Sequence, residues 1–168
     1  MNKQVWIEKA LGLGIQEFEI YQSTTVEKEM TWFQGQMDTL VSSKVTGTSI
    51  RGIVDGKMAN MALEEIDDSM CETVLKSLIE QAHIISNEET DSLRKPEPIE
   101  YVKKDVTWNM ASTEYVKDIL QSLEAKILAY DPRVIQVGYL GYSQGSGSRS
   151  IVNSLGMDVQ DADEMQYI

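Results

Sequence analysis

The stretch that decides the fold is residues 48–62, which read Thr48-Ser49-Ile50-Arg51-Gly52-Ile53-Val54-Asp55-Gly56-Lys57-Met58-Ala59-Asn60-Met61-Ala62. Two runs rich in apolar and β-branched residues flank the dipeptide Asp55-Gly56. Both central residues of a tight hairpin turn need positive φ angles, which Asp and Gly adopt at little cost. The stretch therefore predicts two antiparallel strands joined by a two-residue turn.

The residues before this hairpin change from a helical to an alternating pattern. Apolar residues at spacings of three and four predict a short helix over residues 5–13. Apolar and polar residues then alternate over residues 17–21, which is typical of a half-buried strand. Residues 26–45 predict a further hairpin that turns near Gln34-Gly35-Gln36. The chain thus opens with one helix followed by a series of paired strands.

Two longer helices are predicted after the hairpins. The first covers residues 68–86, and Ser69 followed by Glu72 has the form of a capping box at its start. The second begins at Ser112 or Thr113, runs to Tyr130 and ends before Asp131-Pro132. Each carries one apolar stripe, which indicates that one face is buried.

The remaining segments predict a loop, two strands and an open end. Residues 87–100 contain two spaced prolines and are predicted to form a surface loop. Residues 134–140 alternate like a strand, residues 143–148 read as a Gly/Ser turn, and a returning strand at 151–152 ends in Asn153-Ser154-Leu155-Gly156. Residues 155–168 carry four acidic side chains and are expected to form neither helix nor strand, so that the chain reads as cut rather than finished.

This order of elements predicts an α+β fold. Runs of strands followed by a helix favour it over a doubly wound fold, in which strands and helices alternate strictly. We expect two layers: a mostly antiparallel sheet with the two longer helices packed on one face. Residues 1–168 are expected to form a single domain, with residues 87–100 as its surface loop.

Composition excludes several classes of site. Fifteen basic against 27 acidic side chains give a formal charge of −12, which argues against direct binding of nucleic acid or of an anionic membrane surface. A single cysteine, Cys71, excludes an internal disulfide and suits a reducing compartment, so we expect a cytoplasmic location. A single histidine, His83, excludes a site built from two histidines of this chain. No signal-peptide core or membrane-spanning stretch is present in the sequence.

Cys71 and His83 both fall on the second predicted helix. Cys71 lies in its first turn, where a thiol pKa can fall, but a nucleophile also needs a general base and the only histidine is about three turns away. We therefore expect Cys71 to pack in the core. His83 lies near the helix end, where the helix dipole favours a positive charge. Neither is predicted to be catalytic or to bind a metal.

Four residues are candidates for contacts with a partner or a peptide. Arg51 is a charged residue in an otherwise apolar strand, so it must find a partner or reach solvent. It is expected either to pair inside the fold with an acid such as Asp55 or Glu64, or to reach across an interface or toward a peptide carboxylate. Asn153 and Ser154 are expected to form a turn, and with Asp55 they complete the set of candidate contacts.

Two of these segments, in this order and about a hundred residues apart, resemble the amino-terminal region of the TldD/PmbA family, once called modulators of DNA gyrase. The first is Gly47 to Lys57, with its Arg and its Asp-Gly turn, and the second is Ile151-Val152-Asn153-Ser154-Leu155-Gly156. The resemblance covers about residues 1–160. Gly52 departs from the family pattern, in which a larger apolar residue usually follows the Arg.

The resemblance implies a parent protein more than twice this length that belongs to a metallopeptidase-like assembly. The metal motif of active subunits, His-Glu-x-x-x-His, is absent here, so no catalytic or metal-binding residue is carried over and zinc is expected only in an absent carboxyl-terminal part. A paralogous subunit or a second copy in a dimer, and a peptide substrate, are the implied partners. The chain would be a non-catalytic domain that shapes the substrate cleft and the subunit interface in peptide proteolysis. The alternative is an autonomous module that binds peptide or protein at a sheet edge or a Met-rich face.

Overall fold

The computed structural model describes residues 1–64, 66–86, 90–98 and 111–168. The predicted α+β fold is confirmed: five strands form an antiparallel open sheet in the order β3-β2-β1-β4-β5, accompanied by three helices. The elements in chain order are α1 (Lys3–Gly12), β1 (Glu17–Phe33), β2 (Gln36–Val54), β3 (Lys57–Leu63), α2 (Cys71–Ile84), α3 (Thr113–Tyr130), β4 (Leu140–Asn153) and β5 (Asp158–Tyr167).

Both predicted hairpins are confirmed, and each turns through two residues with positive φ. Asp55 has φ 49° and Gly56 φ 73°, and the β1–β2 turn has φ 49° at Gln34 and φ 79° at Gly35. Mirror-image turns of this kind match the right-handed twist of the flanking strands. The β2–β3 register pairs Arg51 with Asn60 across the ladder.

The described residues group into two compact units. The first, unit 1, comprises Met1–Thr24, Thr46–Lys103 and Ser148–Asp161, and the second, unit 2, comprises Thr25–Val45, Lys104–Gly147 and Ala162–Ile168. The sequence analysis made two predictions about domain organisation, a single domain and a surface loop. The single domain over residues 1–168 stays a prediction. Of the predicted surface loop, residues 90–98 contain neither helix nor strand, and residues 87–89 and 99–100 lie outside the described part.

The core of unit 1 is formed by α1, α2 and the adjoining strands. Helix α1 contacts α2, and α2 contacts β3. The packing at Gly52 is tight, since a Cβ there would lie 2.9 Å from Ile15 Cγ2 and 3.0 Å from Leu78 Cδ2. The departure from the family pattern at this position thus coincides with tight packing. The buried core residues are Trp6, Ile7, Ala10, Ile15, Phe18, Ile20, Ile50, Val54, Ala59, Cys71, Val74, Leu75, Leu78 and Ala82.

Unit 2 has a smaller core under α3. Met30 and Trp32 of β1 pack with Val116, Leu120 and Tyr142. The third helix is confirmed, and Ser112 caps it by accepting a hydrogen bond from the Tyr115 backbone N–H at 3.1 Å.

Three predictions in the carboxyl-terminal third are wrong. Residues 134–139 form no strand; β4 begins at Leu140 and runs without interruption through the predicted Gly/Ser turn at 143–148. Residues 158–167, expected to form neither helix nor strand, form β5. Gly145 of β4 lies close to both β1 and β5. A Cβ atom at this position would lie 3.5 Å from Met165 Cε of β5 and 3.7 Å from the Val26 carbonyl oxygen of β1. Sheet pairing therefore overrides the turn preference of Gly and Ser, which is a local signal.

The predicted capping box at the second helix is also wrong. Asp67 accepts a hydrogen bond from the Ser69 backbone N–H at 2.7 Å, and a short 3₁₀ turn, Asp68–Met70, precedes α2. Glu72 instead pairs with Lys76 at 2.6 Å on the exposed face of α2. The helix itself is confirmed. No helix in the described residues is long and apolar enough to cross a membrane.

Candidate functional site

Glu19 of β1 is the buried centre of a polar network in unit 1. Its side chain is only 3% exposed, and Arg51 of β2 donates to Glu19 Oε1 from Nε and Nη2, both at 2.6 Å. Arg51 therefore pairs with an acid inside the fold, as one of the two alternatives expected, but the acid is Glu19 and neither Asp55 nor Glu64. The partner lies on the neighbouring strand of the sheet, where sequence distance gives no indication of contact.

Asn153, at the end of β4, completes the network. Its amide nitrogen donates to Glu19 Oε2 at 3.2 Å and to the Arg94 carbonyl oxygen at 2.9 Å. Its amide oxygen accepts from the backbone N–H groups of Leu155 and Met157, each at 3.0 Å. Asn153 is thus buried and shapes the turn that leads into β5, as the sequence predicted.

Ser154 ties this turn to β1. Its hydroxyl accepts from the Phe18 backbone N–H at 2.9 Å, and its own N–H donates to the Phe18 carbonyl oxygen at 2.8 Å. The turn role predicted for Ser154 is confirmed. A contact of Asn153 or Ser154 with a partner or a peptide stays a prediction.

Asp55 lies apart from the network. Its side chain is 83% exposed at the β2–β3 turn, and its carboxylate is 3.6 Å from His83 Nε2 at the end of α2. The structure therefore brings Arg51 and Asn153 together through Glu19, and it leaves Asp55 at the tip of a hairpin.

Two hollows of unit 1 adjoin this network. The first, the Arg51 hollow, has a volume of about 370 Å³ and is lined by Glu19, Tyr21, Ser49, Arg51, Asn60 and Ile151. The second, the β5 hollow, has about 480 Å³ and lies between residues 94–97 and the start of β5. Ile151 lines both, so that the two hollows adjoin, and together they are called the groove.

The sequence prediction singled out Arg51 in this groove but missed Glu19, Arg94 and Lys95. Glu19 looks like an exposed strand residue in the alternation of residues 17–21. Arg94 and Lys95 lie in a segment with no regular structure, so no periodicity indicates which way they face. The one available signal was the need of Arg51 for an acidic partner.

Two family models match the chain. One, described as PmbA/TldA metallopeptidase domain 1, matches residues 18–86, and the other, described as PmbA/TldA metallopeptidase central domain, matches residues 107–168. The chain belongs to the TldD/PmbA family. The resemblance seen in the sequence is thereby confirmed.

Solved structures support the same fold for this TldD/PmbA chain. It superimposes on TldE from Thermococcus kodakarensis with a TM-score of 0.81 at 18% identity, which covers 96% of this chain and 37% of that one. A candidate modulator of DNA gyrase from Thermotoga maritima gives 0.74 at 19% identity, over 98% of this chain and 37% of that one. A further candidate modulator of DNA gyrase, from Bacteroides thetaiotaomicron, gives a TM-score of 0.73 at 17% identity, over 97% of this chain and 38% of that one. The chain thus spans less than two fifths of these relatives, and no curated protein sequence matches it.

The described residues of this TldD/PmbA chain do not fit a metal. They contain no group of three or more His, Cys, Asp or Glu side chains that could hold an ion. Cys71 is fully buried, and this burial raises the pKa of its thiol, which agrees with a packing role. His83 is more than half exposed, beside Asp55.

Proposed function

We propose that this chain is the non-catalytic amino-terminal part of a TldD/PmbA-type metallopeptidase-family protein that acts in peptide proteolysis. Its role is to shape the substrate cleft and a subunit interface. The observation that carries the proposal is the groove of unit 1, which is lined by hydrogen-bond donors and apolar side chains and contains a half-exposed arginine held by a buried carboxylate. The family membership supports the proteolytic context.

The groove has the chemistry of a peptide-contact surface. Extended peptides are bound through backbone and terminal polar groups, with shallow apolar recesses for side chains. Pro96, Met157 and Val159 supply apolar surface in the β5 hollow, and Arg51 supplies charge in the neighbouring one. Asn153 bonds both Glu19 and the backbone at Arg94, so that it links the two parts of the groove.

Strand β2 in unit 2 supports the interface role. Strand β3 pairs only with Thr48–Val54, so residues 36–47 have no strand on that side within the described chain. This part of β2 exposes Met37, Leu40, Val41 and Val45, each by 42–63%. Exposed apolar side chains on an unpaired strand edge are typical of an interaction surface. A paralogous subunit or a second copy is the partner that we propose for it.

Chemistry in this proposal belongs to a part of the parent protein outside these residues. Zinc, the metal expected of active subunits, would be held there, because the described residues fit no metal ion. The cytoplasmic location that the single cysteine favours is part of the same proposal.

The test is peptide cleavage by the parent protein purified with its partner subunit, with and without a metal chelator. We expect cleavage of unstructured peptides that the chelator abolishes, and a raised KM with little change in kcat when Arg51 is replaced by Lys. Arg133→Lys, which alters an exposed ion pair with Asp131 in unit 2, serves as the matched control. A peptide-inert or chelator-insensitive assembly would contradict the proposal.

A second candidate is an autonomous module that binds peptide without taking part in hydrolysis. It is favoured by the fact that both hollows of the groove are formed by residues of unit 1 alone. Sequencing the gene beyond the codon for Ile168 distinguishes the two candidates. Several hundred further residues with a His-Glu-x-x-x-His motif would favour the peptidase-family role, and a stop codon would favour the autonomous module.

A further inference from the structure

We infer that the Arg51 hollow binds the carboxyl-terminal carboxylate of a peptide. The inference deepens the proposed function and rests on it, because it names the group of the substrate that this groove recognises. The ligand class is a short peptide with a free α-carboxylate, with its preceding residues in the β5 hollow.

The geometry of Arg51 carries the inference. A guanidinium has five N–H donors, and the pair with Glu19 uses Nε and one side of Nη2 on a single oxygen. Within the described residues Nη1 has no hydrogen-bond partner, and the side chain remains 45% exposed. The outer edge of the guanidinium is therefore open toward the hollow, where it matches the two oxygens of a carboxylate.

Burial of Glu19 fixes this edge in place. The Glu19 carboxylate is 3% exposed and is itself held by Asn153, so that the guanidinium is anchored before any ligand arrives. An arginine that is already ordered loses little side-chain freedom on binding, which favours affinity.

The other polar groups of the hollow have the matching chemistry. Tyr21 and Ser49 carry hydroxyls and Asn60 carries an amide, all of which can donate to an anion. No side-chain hydrogen bond of these three is found within the described part of the chain. The single acid of the hollow, Glu19, is already neutralised by Arg51. The hollow thus presents several donors around one available positive edge.

The neighbouring β5 hollow sets the direction of the peptide. Ile151 forms the shared wall, and beyond it lie the apolar side chains of Pro96, Met157 and Val159. A peptide whose carboxylate meets Arg51 can therefore lay its preceding side chains along this apolar surface.

The test is an NMR titration of the 168-residue chain with N-acetyl-trialanine and with its carboxamide. We expect the acid to shift the Arg51 Nε–H signal and to bind at least about tenfold more tightly than the amide, as a charge-assisted hydrogen-bonded pair requires. Arg51→Lys, which keeps a cation for Glu19, should lose this preference, whereas Arg133→Lys should retain it. Ser49→Ala, which leaves the ion pair intact, should weaken the acid about threefold and leave the amide unchanged.

Equal affinity for acid and amide, no binding of either, or full acid preference in both Arg51→Lys and Ser49→Ala would overturn the inference. None of these results touches the chelator-sensitive cleavage expected of the parent assembly, so failure here is distinguishable from failure of the proposed function.

Discussion

At the scale of single residues, the buried carboxylate of Glu19 organises the candidate site. Glu19 lies on the opposite face of β1 from the core residues Phe18 and Ile20, and the whole residue is nevertheless only 2% exposed. An ionised group with so little contact with water is tolerated only when its oxygens are hydrogen-bonded. Arg51 and Asn153 supply those bonds.

Replacing Glu19 by Ala should lower the free energy of unfolding by about 2–3 kcal/mol, because Asn153 and the inner edge of Arg51 lose their acceptor. The half-exposed Arg51 can hydrate, which keeps the loss below that of a fully buried pair. Glu72→Ala, which breaks only the exposed pair with Lys76, should lower the free energy of unfolding far less than Glu19→Ala does, because water screens an exposed ion pair. Urea unfolding of both variants measures the difference, and equal losses would contradict the role given to Glu19.

Gly52 is the second residue whose environment makes a prediction. A methyl group there meets Ile15 at 2.9 Å and Leu78 at 3.0 Å, so Gly52→Ala should destabilise the chain by about 1–3 kcal/mol through overpacking. Gly138→Ala is the control, because no atom of the described residues lies within 4 Å of its Cβ position. Thermal unfolding of both variants measures the difference. A Gly52→Ala protein as stable as the unsubstituted chain would show that the core accommodates the methyl group without strain.

At the scale of elements, the carboxylate of Glu124 on α3 bonds two parts of the β1–β2 hairpin. Glu124, only 8% exposed, accepts a hydrogen bond from Trp32 Nε1 at 2.7 Å and another from the Gly35 backbone N–H at 3.2 Å. One carboxylate thus contacts both the body of β1 and its turn. This contact fixes the hairpin against the helix.

Glu124→Ala should lower the free energy of unfolding by about 2–3 kcal/mol, since a buried indole N–H and a turn N–H lose a charged acceptor. The loss should be accompanied by a change in Trp32 fluorescence. Asp118→Ala on the exposed face of the same helix should change stability by less than about 0.5 kcal/mol. Unfolding curves followed by fluorescence test both, and an unaltered Trp32 signal in Glu124→Ala would contradict the contact.

The elements also show how far sequence reasoning reaches. The turns at Asp55-Gly56 and Gln34-Gly35 and the three helices were predictable, because φ preferences and apolar periodicity are local properties. The course of β4 was not, since Gly145 and its serine neighbours look like a turn until strands are paired around them. Arg51 was recognisable as a charge in need of a partner, but the choice of Glu19 depends on which strands adjoin. That order is a long-range property.

At the scale of the whole molecule, strands β1, β2, β4 and β5 each contribute residues to both units. A unit that unfolded alone would have to break these strands in the middle. The prediction of a single domain over residues 1–168 therefore corresponds to one cooperative transition.

Calorimetry should find equal calorimetric and van't Hoff enthalpies for the 168-residue chain, as two-state unfolding requires. Two resolved transitions, or a van't Hoff enthalpy well below the calorimetric one, would mean that the units unfold separately and would refute the single domain.

We propose that this TldD/PmbA chain provides a binding surface and leaves catalysis to other parts of its parent. The most direct measurement is hydrolysis of an unstructured fluorogenic peptide by the purified 168-residue chain, with its zinc content determined on the same sample. We expect no turnover above the buffer rate and no stoichiometric zinc. Turnover that a chelator suppresses, or one tightly bound zinc ion per chain, would contradict it.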